Sequence, residues 1–386
     1  MTLLKNPVRF NFPTPILFGP GARNAVAEHL KTLGFKRPLI VTDRGLAGLP
    51  IFQSFTAQIS QGDWAVATFS GIWGNPVKSQ VIAGVEAYRV HHADCVIGFG
   101  GGAALDVAKA IVLMIHHPGD LFDYEDDKPG GRPFDQEIPY WVALPTASGT
   151  GSEVGRSAVV SDEQTHLKKI IFSPRLMARQ VFADPELTLD LPASVSASTG
   201  MDALTHCVES FLAKGYHPIC DGIALEGVRL AAGSLARSVK EPTNLEARSD
   251  MMMASMMGAI AFQKGLGVTH SCAHALSTVA DLHHGLANGI MIDHALKHNL
   301  ESCPDRFESL FQAVSGASRN SGARDFLSWL KDLKAQIGIP ARLSDVGIKK
   351  EQLTKLVDVA VEDVCHSCNP RVCTREDFVR IFDAAY

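Results

Sequence analysis

The feature that most constrains the fold is the segment 93–115, ADCVIGFGGGAALDVAKAIVLMI, whose pattern is an apolar strand, a glycine loop and a helix, in that order. Similar patterns flank it, with apolar strands predicted at 37–43 and 140–145 and a helix at 77–90. Alternating strands and helices are typical of a parallel sheet that helices cover on both faces. We therefore predict that the chain begins with an α/β domain built on a parallel sheet.

The texture of the sequence changes after Pro185. Strand patterns fade, and long helical patterns of apolar residues cover 193–214, 219–240, 244–262 and 268–281 before continuing to the end of the chain. This periodicity indicates amphipathic and buried helices. We predict two domains, an α/β domain over 1–184 and an all-helical domain over 185–386.

Composition excludes several classes of protein. Hydrophobic residues make up 46% of the 386, which is enough for a large core and argues against disorder. The net charge of −5, with no run of basic and aromatic residues, argues against a nucleic-acid partner. No apolar run reaches the length of a membrane span, and the N-terminus lacks the apolar region of a signal peptide. We expect a cytoplasmic protein with reduced cysteines and no membrane partner.

The glycine loop after the predicted strand fits a dinucleotide fingerprint. Residues 98–103, GFGGGA, match G-x-G-x-x-A between a strand and a helix, as in a Rossmann-like domain. The helix N-terminus would offer free N–H groups to a pyrophosphate. The acidic partner is not about twenty residues later, so the better candidate is Asp43, at the end of an earlier strand. Its carboxylate would accept hydrogen bonds from a ribose and repel a 2′-phosphate, which favours NAD over NADP. The alternative role of Asp43 is a helix N-cap.

A second small, hydroxyl-rich loop, TASGTGS at 146–152, follows the next predicted strand. Such a loop can offer hydroxyls and backbone amides to phosphates or to a nicotinamide amide. The alternative is an ordinary strand-to-helix turn, but two such loops at successive strand ends favour binding.

Histidines concentrate in the segment 265–288, GLGVTHSCAHALSTVADLHHGLAN. His270 and His274 lie four residues apart and so share one face of a helix. In the segment 200–209, GMDALTHCVE, Asp202 and His206 share a face in the same way. Two such faces opposite each other could supply three imidazoles and one carboxylate to Fe(II) or Zn(II). The alternative, core or surface histidines, is favoured for one histidine alone but not for this combination.

Several segments together resemble the iron-containing alcohol dehydrogenases, also called group III dehydrogenases. They are GGGAALDVAK (100–109), LPTASGTGSEV (144–154), GMDALTHCVE (200–209), GLGVTHSCAHAL with HHGLAN (265–288), and the tail VCHSCNPRVCTREDF (364–378). The resemblance covers nearly the whole chain, in order. It implies the fold of dehydroquinate synthase, with a dinucleotide-binding domain, a helical metal domain and the active site in the cleft between them.

The resemblance also implies roles for single residues. The metal ligands would be Asp202, His206, His270 and His284, because the family's ligand directly precedes the glycine of H-G-x-x-N, which excludes His283. His274 matches a family histidine that lies near the nicotinamide and is not a ligand. The residues at cofactor-binding positions are Asp43, Asn75, Gly100, Gly101, Gly102, Asp106, Thr146, Thr150, Lys169 and Leu187.

The implied reaction is reversible hydride transfer between NAD and a small alcohol, diol or hydroxy acid. The metal, Fe(II) or else Zn(II), would act as a Lewis acid that stabilises the alkoxide, while the nicotinamide carries the hydride. His274 is the candidate for relaying the proton, and its alternative role is to hold its neighbours by hydrogen bonds. Phe262 and Cys365 are candidate walls of the substrate pocket.

This chain departs from the common family pattern at three positions. Ala103 replaces a frequent serine of the glycine loop, Lys264 stands where many members have asparagine, and Asp293 stands where proline is common. None of the three is a predicted metal ligand.

Other functions are open on the same fold. A lyase like dehydroquinate synthase would need a basic pocket, and the apolar tract 258–266 argues against one. A maleylacetate reductase with little or no metal is disfavoured by the complete ligand set, as is a non-catalytic NAD-binding protein. We expect a homodimer or a larger homo-oligomer, since a free edge strand near the N-terminus could pair between subunits.

Overall fold

The structure is a computed structural model that describes residues 11–12, 14–61, 64–126, 128–165, 167–316 and 323–386. Its internal contacts divide the chain into two compact units. The sheet unit comprises Pro13–Ala147 and Gly151–Thr188, and the helical unit runs from Leu189 to Tyr386 and takes in Ser148–Thr150.

The sheet unit is the predicted α/β domain. Its strands are β1 (Ile16–Phe18), β2 (Pro38–Asp43), β3 (Ala67–Ile72), β4 (Cys95–Gly100), β5 (Trp141–Pro145), β6 (Ser157–Ser161), β7 (Lys168–Phe172) and β8 (Gln180–Ala183). Its helices are α1 (Val26–Thr32), α2 (Arg44–Ala47), α3 (Pro50–Ile59), α4 (Lys78–His91) and α5 (Gly102–Met114). Six strands form one parallel sheet in the order β1-β8-β5-β4-β2-β3, which confirms the predicted sheet.

The central strands of this sheet are buried along almost their whole length. Every residue of β4 and β5 is buried, and so are the first five residues of β2. Helices on both faces explain why these strands are continuous apolar runs rather than alternating ones. Because parallel strands end at the same edge, Asp43, the glycine loop and Thr146 lie at one end of the sheet.

Strands β6 and β7 form a separate antiparallel pair that the sequence did not predict. Its register joins Ser157 to Phe172 and Ser161 to Lys168. The pair is partly exposed, so its strands lack the continuous apolar signal of the central sheet.

The helical unit contains nine helices in the described residues. They are α6 (Ala193–Leu212), α7 (Pro218–Lys240), α8 (Leu245–Ala261), α9 (Val268–Ala280), α10 (His284–Leu296), α11 (Pro304–Ser315), α12 (Ala323–Ile337), α13 (Leu353–Glu362) and α14 (Arg375–Ala385). Every residue of α6 from Gly200 to Leu212 is buried, because α7, α8 and α10 pack around it. Among the described residues, no helix combines the length and apolarity that a membrane crossing requires.

Helix α10 approaches α6 closely at Gly285. A Cβ atom at this position would lie 2.3 Å from the carbonyl oxygen of Ser198, closer than such atoms can approach. The glycine after His284 therefore permits helix-to-helix contact, rather than the sharp turn or ligand approach for which glycine is also suited.

The two units meet in the chain at Thr188 and Leu189, four residues beyond the boundary expected after Asp184. The intervening residues Pro185–Thr188 form a 3-10 turn, and Leu187 in it is buried in the hydrophobic core of the sheet unit. This apolar anchor keeps the turn with the sheet.

Two of the residues that depart from the family pattern form ion pairs in the helical unit. Asp293 pairs with Lys334, and both side chains are about 95% buried. Lys334 also donates to the carbonyl oxygen of Ile290 at 2.8 Å. Lys264 pairs with Asp221 at 2.5 Å and donates to the carbonyl oxygen of Phe211 at 3.0 Å. Each of these two departures from the family pattern therefore has an oppositely charged partner within the protein.

We expect Asp293→Ala to destabilise the protein by about 3–5 kcal/mol, because it leaves the buried ammonium of Lys334 without a counter-charge. Urea denaturation measures the change in the free energy of unfolding. The control is Glu246→Ala, which breaks the exposed pair with Arg237 and should cost less than about 1 kcal/mol. Equal losses in the two variants would contradict the argument.

Candidate metal centre and dinucleotide pocket

Three helices of the helical unit bring four side chains to one point. Helix α6 carries Asp202 and His206 one turn apart, α9 carries His270 in its first turn, and α10 begins with His284. One ligand atom from each of the four lies within 4.8 Å of all the others. His283 lies outside this group and accepts a hydrogen bond from the backbone N–H of Leu286. The structure thus brings together the four predicted ligands and not their neighbour.

One carboxylate oxygen is common to the contacts of the cluster. Oδ1 of Asp202 lies 3.4 Å from Nε2 of His284, 3.9 Å from Nε2 of His270 and 4.0 Å from Nδ1 of His206. Asp202, His206 and His270 are buried, whereas the His284 side chain is 22% exposed. The cluster is therefore open to solvent on the side of His284.

The residues present fit a divalent transition metal. Three imidazoles and one carboxylate suit Fe(II) or Zn(II). Burial lowers the pKa of His206 to about 4, against the opposing effect of Asp202, so this imidazole is neutral, as a metal ligand must be. Nδ1 of His206 is buried without a hydrogen-bond partner among the described residues, which is the condition that a bound cation would relieve.

A second carboxylate, Glu209, holds one of these histidines. Its Oε2 lies 2.7 Å from Nδ1 of His270 and accepts a hydrogen bond from the backbone N–H of Gly267 at 2.9 Å. Its Oε1 accepts one from the backbone N–H of Thr269 at 2.6 Å. Burial alone would raise the pKa of Glu209, but the bond and charge of His270 lower it overall. The carboxylate fixes the ring of His270 with Nε2 toward the cluster, a recurrent arrangement at metal sites.

Glu209 was not predicted from the sequence, although a signal was present. Asp202, His206 and Glu209 follow the spacing i, i+4, i+7, so they lie on one face of α6. Asn288, one turn after His284, was not predicted either, and its buried amide donates to Oδ1 of Asp202 at 2.8 Å.

His274, the candidate proton relay, lies beside the open side of the cluster. Its ring stacks on that of His284 with 5.2 Å between centroids. Its Nδ1 lies 2.7 Å from Oδ2 of Asp363, a residue that the sequence analysis did not select. Asp363 follows α13, and no local pattern connects it to α9.

The two candidate pocket residues lie near the histidines. The ring of Phe262 is 5.3 Å from that of His206, between centroids. Sγ of Cys365 is 4.0 Å from Nδ1 of His274. Among the described residues, Cys368 and Cys373 join no group with the spacing of metal ligands.

The glycine loop of the sheet unit borders a cavity of about 310 Å³. Its lining includes Asp43, Trp73, Gly74, Gly101 and Ala103. The N-terminus of α5 has no side-chain cap, so its backbone N–H groups are available to an anion. This volume lies at the lower end of the range for small-molecule sites.

One residue of the loop, Gly100, is constrained by a close contact. A Cβ atom on Gly100 would lie 2.6 Å from Cβ of Ala104, at a φ of +157° that side chains rarely adopt. The backbone N–H of Thr146 donates to the carbonyl oxygen of Gly100 at 3.1 Å, which joins the two predicted loops. Gly102 is the first residue of α5.

Asp43 is the helix N-cap that the sequence offered as one alternative, and its place in the cavity lining leaves the proposed contact with a ribose untested. Its Oδ1 accepts from the N–H of Leu46 at 2.8 Å and caps α2, while the residue also lines the cavity. Trp73, which the sequence analysis missed, is 55% exposed in the same lining, with the guanidinium of Arg44 4.5 Å above its ring. Asn75 follows this lining segment in the chain.

The remaining predicted cofactor residues are not in the cavity lining. Asp106 accepts hydrogen bonds from Ser152 and from the backbone of Val159, at 2.6 and 3.0 Å. Lys169 forms an ion pair with Glu125 at 2.9 Å, and Leu187 is in the apolar core. Thr150 is grouped with the helical unit.

Comparisons with known proteins cover almost the whole chain. Residues 13–185 match the family model described as iron-containing alcohol dehydrogenase, and residues 196–386 match that of the Fe-containing alcohol dehydrogenase family, C-terminal. The chain is 34% identical to a 1,3-propanediol dehydrogenase of Citrobacter freundii, over 97% of each chain. It is 33% identical to an NAD-dependent methanol dehydrogenase of Bacillus methanolicus, over 97% of this chain and 99% of that one.

A solved structure is similar to this chain over almost its whole length. The crystal structure of a 1,3-propanediol oxidoreductase aligns with a TM-score of 0.92 at 32% identity, covering 98% of this chain and 100% of that one. Sequence and fold therefore agree over both units. The chain belongs to the iron-containing alcohol dehydrogenase family and is an NAD-linked alcohol oxidoreductase.

Proposed function

We propose that this enzyme oxidises short alcohols or diols reversibly with NAD and uses Fe(II), or else Zn(II), held by Asp202, His206, His270 and His284. The observation that carries the proposal is the approach of these four ligand atoms to within 4.8 Å of one another. The diol and the methanol in the names of the two relatives support a small, polar substrate.

A bound divalent metal would supply Lewis acidity at the alcohol oxygen, and the nicotinamide would take up the hydride. The chain's own residues do the rest. Glu209 and Asn288 hold His270 and Asp202 in place. His274 is the candidate proton acceptor beside the open side of the cluster, and Phe262 and Cys365 are candidate walls of the substrate pocket.

For the cofactor, the cavity at the glycine loop supports a dinucleotide whose pyrophosphate lies at the N-terminus of α5. The carboxylate of Asp43 in the lining favours a ribose with a free 2′-hydroxyl, and so NAD over NADP. The other residues that we propose for this site are Asn75, Gly100, Gly101, Gly102, Asp106, Thr146, Thr150, Lys169 and Leu187. Since Asp106, Lys169 and Leu187 are engaged within the protein, we propose that they shape the site or contact the cofactor through backbone atoms.

All eight cysteines are free thiols, which supports a reducing compartment, and we propose the cytoplasm. Fractionation of the source cells tests this, and a secreted enzyme would contradict it.

The metal assignment predicts joint loss of metal and activity in His270→Ala. Plasma mass spectrometry of protein purified anaerobically without chelator should give roughly one metal ion per chain. The variant should lose this metal, together with at least about 100-fold of kcat/KM for ethanol or 1,3-propanediol, since the Lewis acid supplies several kcal/mol. Reloading with Fe(II) or Zn(II) identifies the more active metal.

The matched control is His283→Asn, which changes the adjacent histidine and keeps a side chain that can cap α10. It should retain metal and activity. A metal-free wild-type protein that still reduced a keto acid would refute the ligand assignment and favour a maleylacetate reductase-like enzyme.

The cofactor assignment predicts that Asp43→Asn weakens the preference for NAD. Asparagine can still cap α2 but no longer repels a 2′-phosphate, so the ratio of kcat/KM for NAD to that for NADP should fall by about tenfold or more. Steady-state kinetics with both cofactors measures this ratio, with the exposed Glu28→Gln on α1 as control. An unchanged ratio would mean that Asp43 serves only as a helix cap.

We propose that the enzyme assembles as a homodimer or a larger homo-oligomer through β1. This strand is at the edge of the sheet, and its Leu17 and Phe18 side chains are 43% and 36% exposed. Such an edge is a template for pairing with a second copy. Sedimentation at micromolar concentration should give at least twice the 41.5 kDa of one chain, and less for Leu17→Asp. A wild-type monomer would refute this.

A further inference from the structure

Helix α9 carries two histidines, one turn apart, and each is hydrogen-bonded to a carboxylate. His270 is bonded through Nδ1 to Oε2 of Glu209, and His274 is bonded through Nδ1 to Oδ2 of Asp363, both at 2.7 Å. In each pair the carboxylate accepts the Nδ1 proton, which fixes the tautomer and leaves Nε2 as the basic nitrogen.

The two pairs differ in their surroundings. The His270 side chain is 1% exposed and belongs to the metal cluster, whereas that of His274 is 25% exposed and lies flat against the ring of His284. The first imidazole can therefore bind a cation, and the second faces the open side, where a substrate hydroxyl would enter.

Asp363 is itself held firmly. Its Oδ1 accepts from the hydroxyl of Ser271 at 2.7 Å and from the backbone N–H of Cys365 at 2.9 Å, and its Oδ2 is bonded to His274. Burial alone would raise the pKa of Asp363, but the charge and hydrogen bond of His274 lower it overall, so the carboxylate is ionised. Both oxygens are occupied, and the imidazole of His274 cannot turn without breaking a charged hydrogen bond.

We propose that Asp363 is the positioning residue for proton transfer, acting only through His274, and that Glu209 serves metal binding in the same way through His270. This inference rests on the proposed function. In the oxidation direction the O–H bond of the alcohol breaks, its electron pair stays on oxygen, and the proton binds Nε2 of His274. Nδ1–H stays bonded to Asp363, whose charge stabilises the imidazolium. The oxygen electron pair would then form the C=O bond as the C–H bond breaks and its hydride passes to the nicotinamide, so the alcohol would lose one proton and one hydride in total.

A second metal ion at His274, Asp363 and Cys365 is the competing interpretation, since these residues also have ligand spacing. However, two ligands at about 2.1 Å from a tetrahedral ion lie roughly 3.4 Å apart. The 2.7 Å between Nδ1 and Oδ2 is a hydrogen bond and leaves no place for an ion between them.

Removing the charge of Asp363 and removing that of Glu209 should affect different quantities, kcat and metal affinity. Asp363→Asn should lower kcat by about 100-fold, because general acid–base catalysis contributes about that much or more, with KM within about twofold and metal content unchanged. Glu209→Gln should weaken metal affinity by about 10–100-fold, measured by competition with a chelator. The matched control is Glu362→Gln, an exposed carboxylate beside Asp363, which should change neither quantity.

A double-mutant cycle with His274→Gln separates positioning from general destabilisation. If Asp363 acts only through His274, Asp363→Asn should cost nothing further in the His274→Gln background. Additive losses of kcat would overturn the proposal. So would a loss of metal in Asp363→Asn, or a second equivalent of zinc that this variant releases.

The tautomer can be observed without any reaction. In zinc-loaded protein labelled with ¹⁵N-histidine, His274, assigned by its loss in His274→Gln, should show a protonated Nδ1 that Asp363→Asn disturbs and Glu362→Gln does not. An undisturbed tautomer would overturn the proposal even if the variant were inactive or partly unfolded. If the wild type oxidised no alcohol, the proposed function would fail, while this spectrum would still decide whether Asp363 positions His274.

Discussion

The carboxylate of Glu209 joins α6 to the first turn of α9, and the geometry of the metal centre depends on this joint. The carboxylate accepts hydrogen bonds from backbone N–H groups at the start of α9, which have no carbonyl partner within the helix. It also orients the ring of His270. A carboxylate buried this deeply is tolerated only because every bond it makes is charge-assisted or to an otherwise unpaired donor. One side chain thus performs capping, helix docking and ligand orientation together.

In the sheet unit, the common end of the parallel strands brings the cavity-lining residues together. Its parallel strands end together, so side chains far apart in sequence reach one edge without any dedicated bond between them. Asp43 caps a short helix and lines the cavity at once, and Gly100 lets the loop pass close to Ala104. Contacts within the protein therefore shape the glycine loop.

The sequence predicted the parallel sheet and the helical half, because those features have short-range signatures. Spacing indicated a set of three histidines and one carboxylate, and the resemblance to the family implied which four residues form it. Apolar runs mark buried strands, and spacing of four residues marks one face of a helix. The partners of the histidines have no such signature across elements. Glu209 and Asp363 are 61 and 89 residues from the histidines that they hold, and only the packing of α6, α9 and α13 brings each pair together. The antiparallel β6–β7 pair was missed for a related reason, because half-buried strands lack a continuous apolar run.

Gly285 has a consequence for the assembly of the histidine cluster. Because α10 rests directly on the backbone of α6 at this residue, helix packing places His284 beside the other three side chains of the cluster. His270 is held by a carboxylate, and Asp202 by an amide. Packing and hydrogen bonds within the protein thus fix the positions of these side chains, so a metal ion bound there would remove little of their conformational entropy.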